Sequence, residues 1–225
     1  MKKLLLSVIA IIVSITSFAQ EKDVTKFLEI PVDGTKAEMI AKLKEKGFTS
    51  TEYDKDVLEG EFNGAEVYLH IATNNNKVYR IMVSDKNTTN ETNIKIRFNK
   101  LCQQFNNNPK YSYAGDQMIA EDEDISYEII VNKKRYEAAY LQKPKEPDAD
   151  VVNSISNMML KIIEDSTLTD NERKVKQQEI TDIILESAST GNHKIVWFMI
   201  SEFSGKYYIT MFYDNELNKA NGEDL

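Results

Sequence analysis

The chain has 225 residues, with 28 Lys and Arg against 36 Asp and Glu, and a formal net charge of −8. That acidic balance disfavours a nucleic-acid partner and gives no attraction to anionic membranes. A single cysteine excludes an intramolecular disulfide, and the length suits one large domain or two small ones.

Residues 1–19 read as a secretory signal. Lys2 and Lys3 precede the apolar run from Leu4 to Ile15, which is too short to span a bilayer comfortably. Thr16-Ser17-Phe18-Ala19 then puts small residues at −3 and −1 of a cleavage site before Gln20. No cysteine follows the run, which argues against a lipoprotein-type anchor. Removing the segment takes two of the 28 basic residues and leaves 26 against 36 acidic ones. The protein is therefore expected to be exported, periplasmic or extracellular, with no membrane span after signal removal.

The stretch from Phe27 to Phe48 predicts a turn followed by a well-marked helix. Thr35 and Glu38 have capping-box spacing, and Met39, Ile40 and Leu43 form the inward stripe. Gly47 suits a left-handed C′ position, with Phe48 folding back on Leu43. Three strands follow. The Asn63-Gly64 turn pairs Leu58 with Leu69 and Gly60 with Val67. A three-residue loop at Asn74-Asn75-Asn76 pairs Ile71 with Tyr79, Leu69 with Ile81 and Val67 with Val83, apolar against apolar.

A second helix is expected behind a capping box of Thr88 and Glu91, with Ile94, Phe98, Leu101, Cys102 and Phe105 as its apolar stripe. Cys102 on that stripe reads as a buried, inert thiol. Strand-like segments follow at 111–113 and 118–120. A hairpin is then expected, with Ile125, Tyr127, Ile129 and Val131 on one arm and Tyr136, Ala138 and Tyr140 on the other. Residues 20–143 thus read as two helix-plus-three-strand units, a suggested internal repeat.

The Lys143-Pro144-Lys145-Glu146-Pro147-Asp148 run reads as a linker. Residues 149–225 are expected to hold a helical hairpin and a C-terminal β-hairpin, packed on 20–143 or separate from it. The first helix carries Val151, Val152, Ile155, Met158, Met159, Ile162 and Ile163. The second opens with a capping box of Thr169 and Glu172 and carries Val175, Ile180, Ile183 and Ile184. The last hairpin turns at Ser204-Gly205 and matches Val196, Phe198 and Ile200 with Tyr213, Met211 and Ile209. Its other face holds Trp197, Met199, Tyr208 and Phe212, so the sheet must be covered on both sides. The fold class is α+β: antiparallel meanders packed by helices.

The run F-L-E-I-P-V-D-G-T-K from Phe27 to Lys36 resembles the opening of a group of uncharacterised secreted proteins from gut Gram-negative anaerobes. There it reads F-L-G-I-P-V-D-G-T/S-K, so Glu29 stands at the Gly position. The resemblance implies export and no particular activity. The helix-plus-meander arrangement is also loosely similar to β-lactamase-inhibitor-like and small outer-membrane-assembly modules.

Chemistry is sparse. There is no nucleophile elbow, zincin motif, P-loop or dinucleotide fingerprint. Of the two histidines, His70 lies mid-strand, across from Arg80 in the expected register, and His193 opens the last hairpin as a turn residue. Glu121-Asp122-Glu123-Asp124 could attract calcium, but it lacks alternating ligand spacing and a glycine, so a solvated loop is preferred. Asp214-Asn215-Glu216-Leu217-Asn218 alternates like an EF-hand loop but has Lys219 where glycine is required. No catalytic, cofactor-binding or metal residue is assigned. The positive lead is an aromatic face of Trp197, Tyr208, Phe212 and Met199, buried by the helical hairpin or open to a protein, peptide or glycan. The expected function is an exported non-enzymatic binding or inhibitor-like module of the envelope. The alternatives are a secreted glycan or peptide hydrolase using carboxylates, and a structural envelope protein.

Overall fold

The computed structural model describes residues 23–113, 115, 117–143, 157, 160–162, 164–176, 178 and 194–220. The chain opens on a small hairpin, β1 (Lys26–Phe27) and β2 (Ile30–Pro31). Next comes α1 (Lys36–Glu45), then β3 (Thr49–Ser50), β4 (Leu58–Phe62), β5 (Ala65–Asn74) and β6 (Lys77–Asp85). A second run follows: α2 (Glu91–Asn106), β7 (Tyr111–Ser112), α3 (Ile125–Ile130), β8 (Glu137–Gln142), β9 (Lys194–Phe203) and β10 (Lys206–Asn215). Strands β3 to β10 form one antiparallel sheet in the order β3-β4-β5-β6-β10-β9-β8-β7. The protein is α+β, and none of the helices among the described residues is long and apolar enough to cross a membrane.

Local chemistry explains the first run. Thr35 Oγ1 accepts from Glu38 N at 3.3 Å, and Thr35 N donates to Glu38 Oε2 at 2.9 Å, so both halves of the capping box are present. Gly47, at φ +98°, ends α1 and lets Phe48 N reach Leu43 O at 3.3 Å. Asn63-Gly64, Asn75-Asn76 and Ser204-Gly205 all have both residues at positive φ, the two-residue turn whose twist suits a hairpin. Leu58 pairs with Leu69 and Gly60 with Val67, as the sequence predicts. So do Val196 with Tyr213, Phe198 with Met211 and Ile200 with Ile209.

The β5–β6 register differs from the expectation by two residues. The loop is two residues long, not three, and Ile71 faces Ile81 instead of Tyr79. A two-residue turn alone would set Ile71 against Arg80 and mix the faces. An irregularity absorbs Tyr79, so that Thr73 pairs with Val78 but Ala72 pairs with Arg80. Ile81 and Val83 thereby return to the buried side.

Three further expectations are corrected. Helix α2 is capped by Asn90, whose side chain accepts from Asn93 N, and not by Thr88. Thr89 is instead held in a two-way backbone bridge with Tyr207. The segment 125–130, read as a hairpin arm, is α3. Asp124 caps it by accepting from Tyr127 N at 2.9 Å, while Glu91 accepts from Ile125 N at 3.0 Å and from the Ser126 hydroxyl. Among its apolar residues only Ile125 is fully buried, so the apparent strand alternation has no second layer to serve. Residues 118–120 are not a strand. Paired side-chain amides anchor that region: Asn99 exchanges two 2.8 Å bonds with the backbone of Ile119, and Gln117 does the same to Ala139 at 2.6 and 3.3 Å. Each amide takes the place of a neighbouring strand's peptide group.

The repeated unit is also larger than expected. A helix and four antiparallel strands occur twice, α1-β3-β4-β5-β6 and α2-β7-β8-β9-β10, the second with α3 inserted between β7 and β8, and the strand order reads alike from either edge. The last hairpin completes the second unit: β9 pairs with β8, and β10 pairs with β6 at the centre of the sheet. For the expected helical hairpin, residues 170–176 are helical and the Thr169–Glu172 capping box is formed. Residues 144–156 and 179–193, with Val151, Val152, Ile155, Ile180, Ile183, Ile184 and His193, lie outside the described residues.

Helices α1 and α2 cover one face. Their stripes (Met39, Leu43; Ile94, Phe98, Leu101, Cys102, Phe105) join Leu69, Ile81, Val83, Val196, Phe198, Met211 and Tyr213 in one core. Gly60 fits beneath the Phe48 ring, where an added Cβ would stand 2.7 Å from Phe48 Cδ1. Gly60→Ala is therefore expected to destabilise the protein by about 1–3 kcal/mol through overpacking. Urea unfolding of the variant beside wild type checks this; equal midpoints would refute it.

Candidate functional site

Alternation along the strands sends one set of residues to the face away from α1 and α2. Across the middle of the sheet the registers align His70, Met82, Phe212, Trp197 and Ala139 in a row on β5, β6, β10, β9 and β8. The next row on one side holds Ala72, Arg80, Asp214, Ile195 and Leu141. On the other side lie Tyr68, Ser84, Thr210, Met199 and Glu137.

Trp197 and Phe212 stack at 3.9 Å with their planes 16° apart. Arg80 forms a forked pair with Asp214, Nε to Oδ1 and Nη2 to Oδ2, both at 2.6 Å. Its guanidinium carbon stands 4.9 Å from the Phe212 centroid and 5.6 Å from that of Trp197. The indole N–H donates to Asp214 Oδ2 at 3.1 Å. The Asp214 carboxylate, 5% exposed in its side chain, thus accepts from both the cation and the indole. Hydrogen bonding to Asp214 and the charge beside it hold the Arg80 guanidinium above its ordinary pKa despite partial burial. The outcome is a stack of preset geometry.

The four residues of the predicted aromatic face share this side of the sheet. Phe212 is buried at 9% exposure, and Trp197, Tyr208 and Met199 are partly buried. The forked pair of Arg80 and Asp214 at its centre was not foreseen, because it depends on the β6–β10 pairing. Met199 lies 3.9 Å from Arg135 Nη2, and the hydroxyls of Ser201 and Thr210 are 3.0 Å apart. Helices α1, α2 and α3 sit on the opposite face.

Other candidate residues have structural work. His70 faces Met82, not Arg80, and burial lowers its pKa below 6.5, opposed by Asp54. In the acidic run, Glu123 binds Lys134 and the Tyr136 hydroxyl, Asp124 caps α3, and Lys95 ties the carbonyls of Glu121 and Glu123. Asn218, in the EF-hand-like stretch, donates to Asp33 Oδ1 and Val78 O. Among the described residues no group of three His, Cys, Asp or Glu could hold a metal ion. Cys102 is buried. Comparison with known proteins yields no family model, curated protein or solved structure that matches the chain significantly.

Two outcomes are expected. Asp214→Ala leaves a half-buried guanidinium unpaired and should cost about 2 kcal/mol, with most of that cost absent in an Arg80→Met background. A double-mutant cycle in urea measures the coupling, and a coupling near zero would refute it. For His70, the unfolded chain takes up a proton before the folded one as pH falls, so its contribution is complete above pH 6.5 and is lost below it. His70→Gln should flatten the fall in melting temperature between about pH 7 and 5.

Proposed function

We propose that the chain is an exported, non-enzymatic binding or inhibitor-like module of the cell envelope, and that the sheet face around Trp197 contacts a protein partner. The observation that carries this reading is the stack of Trp197, Phe212 and Arg80 on the face opposite α1, α2 and α3. Trp, Tyr, Met and Arg are the residue types enriched at the centres of protein interfaces. A stack already fixed by Asp214 loses little freedom on association. The net charge of −8 favours approach of a basic partner. Export rests on the composition of residues 1–19.

A carboxylate hydrolase is the weaker reading. It needs two carboxylates converging on an open pocket, and the Asp214 carboxylate on this face is committed to Arg80 and Trp197.

Trp197 fluorescence tests the proposal, since it is the chain's one tryptophan. In the isolated monomer acrylamide should quench it, and a partner retained from envelope extract should protect it. The pair of changes Trp197→Ala and Tyr208→Ala should abolish retention while leaving the fold intact by circular dichroism. A monomer whose Trp197 is fully shielded, or retention unchanged in the double variant, would sink the idea.

A further inference from the structure

On the helix-covered face, a cleft of about 290 Å³ lies between the β1–β2 turn, the β4–β5 turn and the end of α2. Leu28, Phe62, Phe105 and Met211 supply apolar wall. Two phenols line the same cleft. Tyr111 accepts from Gln142 Nε2 at 3.3 Å, which leaves its O–H to donate. Tyr213 is 4% exposed, and its hydroxyl has no hydrogen-bond partner among the described residues. Burial raises both phenols above their ordinary pKa, so both remain O–H donors at neutral pH.

The mouth is cationic although the protein is acidic overall. Glu29 is paired with Lys110, and Lys26 and Lys46 also lie close enough to lower its pKa. Lys26 and Lys110 thus line the cleft with Glu29 as the one carboxylate, and Lys26 is in no ion pair among the described residues. The β1–β2 turn that forms this rim holds Leu28 and Glu29 at φ +51° and +66°, a region costly for residues with a Cβ. Such strain persists where surrounding structure imposes it, often at ligand clamps.

We propose that this cleft binds a small organic carboxylate, its apolar body against Phe62 and Phe105 and its carboxylate accepting from Tyr213 and Tyr111 within the field of Lys26. Two neutral O–H donors and an unpaired ammonium match an anion with several acceptor lone pairs. The cleft lies at the small end of ligand-site volumes, which limits the body to about one ring. This inference does not depend on the partner surface around Trp197, which lies on the other face.

Titration of the full chain with phenylacetate, followed by NMR of the Met211 methyl, tests it. Saturable shifts are expected, with phenylacetamide, the neutral isostere, at least tenfold weaker. Tyr213→Phe deletes only a hydroxyl and should weaken phenylacetate about tenfold without changing the melting temperature. Lys26→Gln, at the rim, should weaken it and reduce its salt dependence. Should Tyr213→Phe unfold, Lys26→Gln alone decides. Absence of saturable shifts, equal binding of the amide, or unaltered affinity in Lys26→Gln would each overturn the proposal.

Discussion

The two halves of the eight-stranded sheet meet at one seam, the antiparallel pairing of β6 with β10. Each half carries its own meander, and the register of one meander against the other is set by five residue pairs, from Thr210 with Ser84 to Asp214 with Arg80. The last pair is also the forked ion pair. Because Arg80 and Asp214 are direct cross-strand partners, their geometry exists only when the seam is in register. A one-residue slip would send Met211 and Tyr213 to the wrong face and separate the charges at the same time. Both faces of the sheet therefore report on one alignment, the core through apolar fit and the aromatic side through the pair.

Much of this was legible from local patterns. The hairpins at Asn63-Gly64 and Ser204-Gly205 follow from turn chemistry and matched apolar faces, and α1 from its two caps. Alternation in β9 and β10 was enough to gather Trp197, Met199, Tyr208 and Phe212. The failures share a cause. The irregularity at Tyr79 corrects parity after a two-residue turn, and parity reasoning finds a longer loop equally good. The start of α2 was misread because Thr89 serves a strand pairing with Tyr207, more than a hundred residues away in sequence. Residues 125–130 alternate like a strand, yet the caps from Asp124 and Glu91 decide for helix. Nothing local in β9 or β10 reveals that they occupy the centre of the sheet, and so Arg80 and Asp214 could not be brought together.

The side-chain amides explain how irregular backbone is tolerated beside β8. Gln117 and Asn99 each present one donor and one acceptor, and satisfy a peptide unit that a strand would otherwise occupy. Gln142 does the same for Lys26 at 2.8 and 3.2 Å, which ties the β1–β2 hairpin to the end of β8. Such pairs leave less of the outer edge of β8 open to another chain.

The chain leaves the sheet after β8 and returns in β9, immediately beside it, with Lys194 Nζ on the carbonyl of Lys143 at 2.8 Å. Whatever lies between these points begins and ends at the same place on the fold. Since the entropy of closing a loop grows only with the logarithm of its length, the β8–β9 junction is a natural port of variation. Sequence can be gained or lost there in evolution, or exchanged in engineering, while the eight-stranded frame keeps its register.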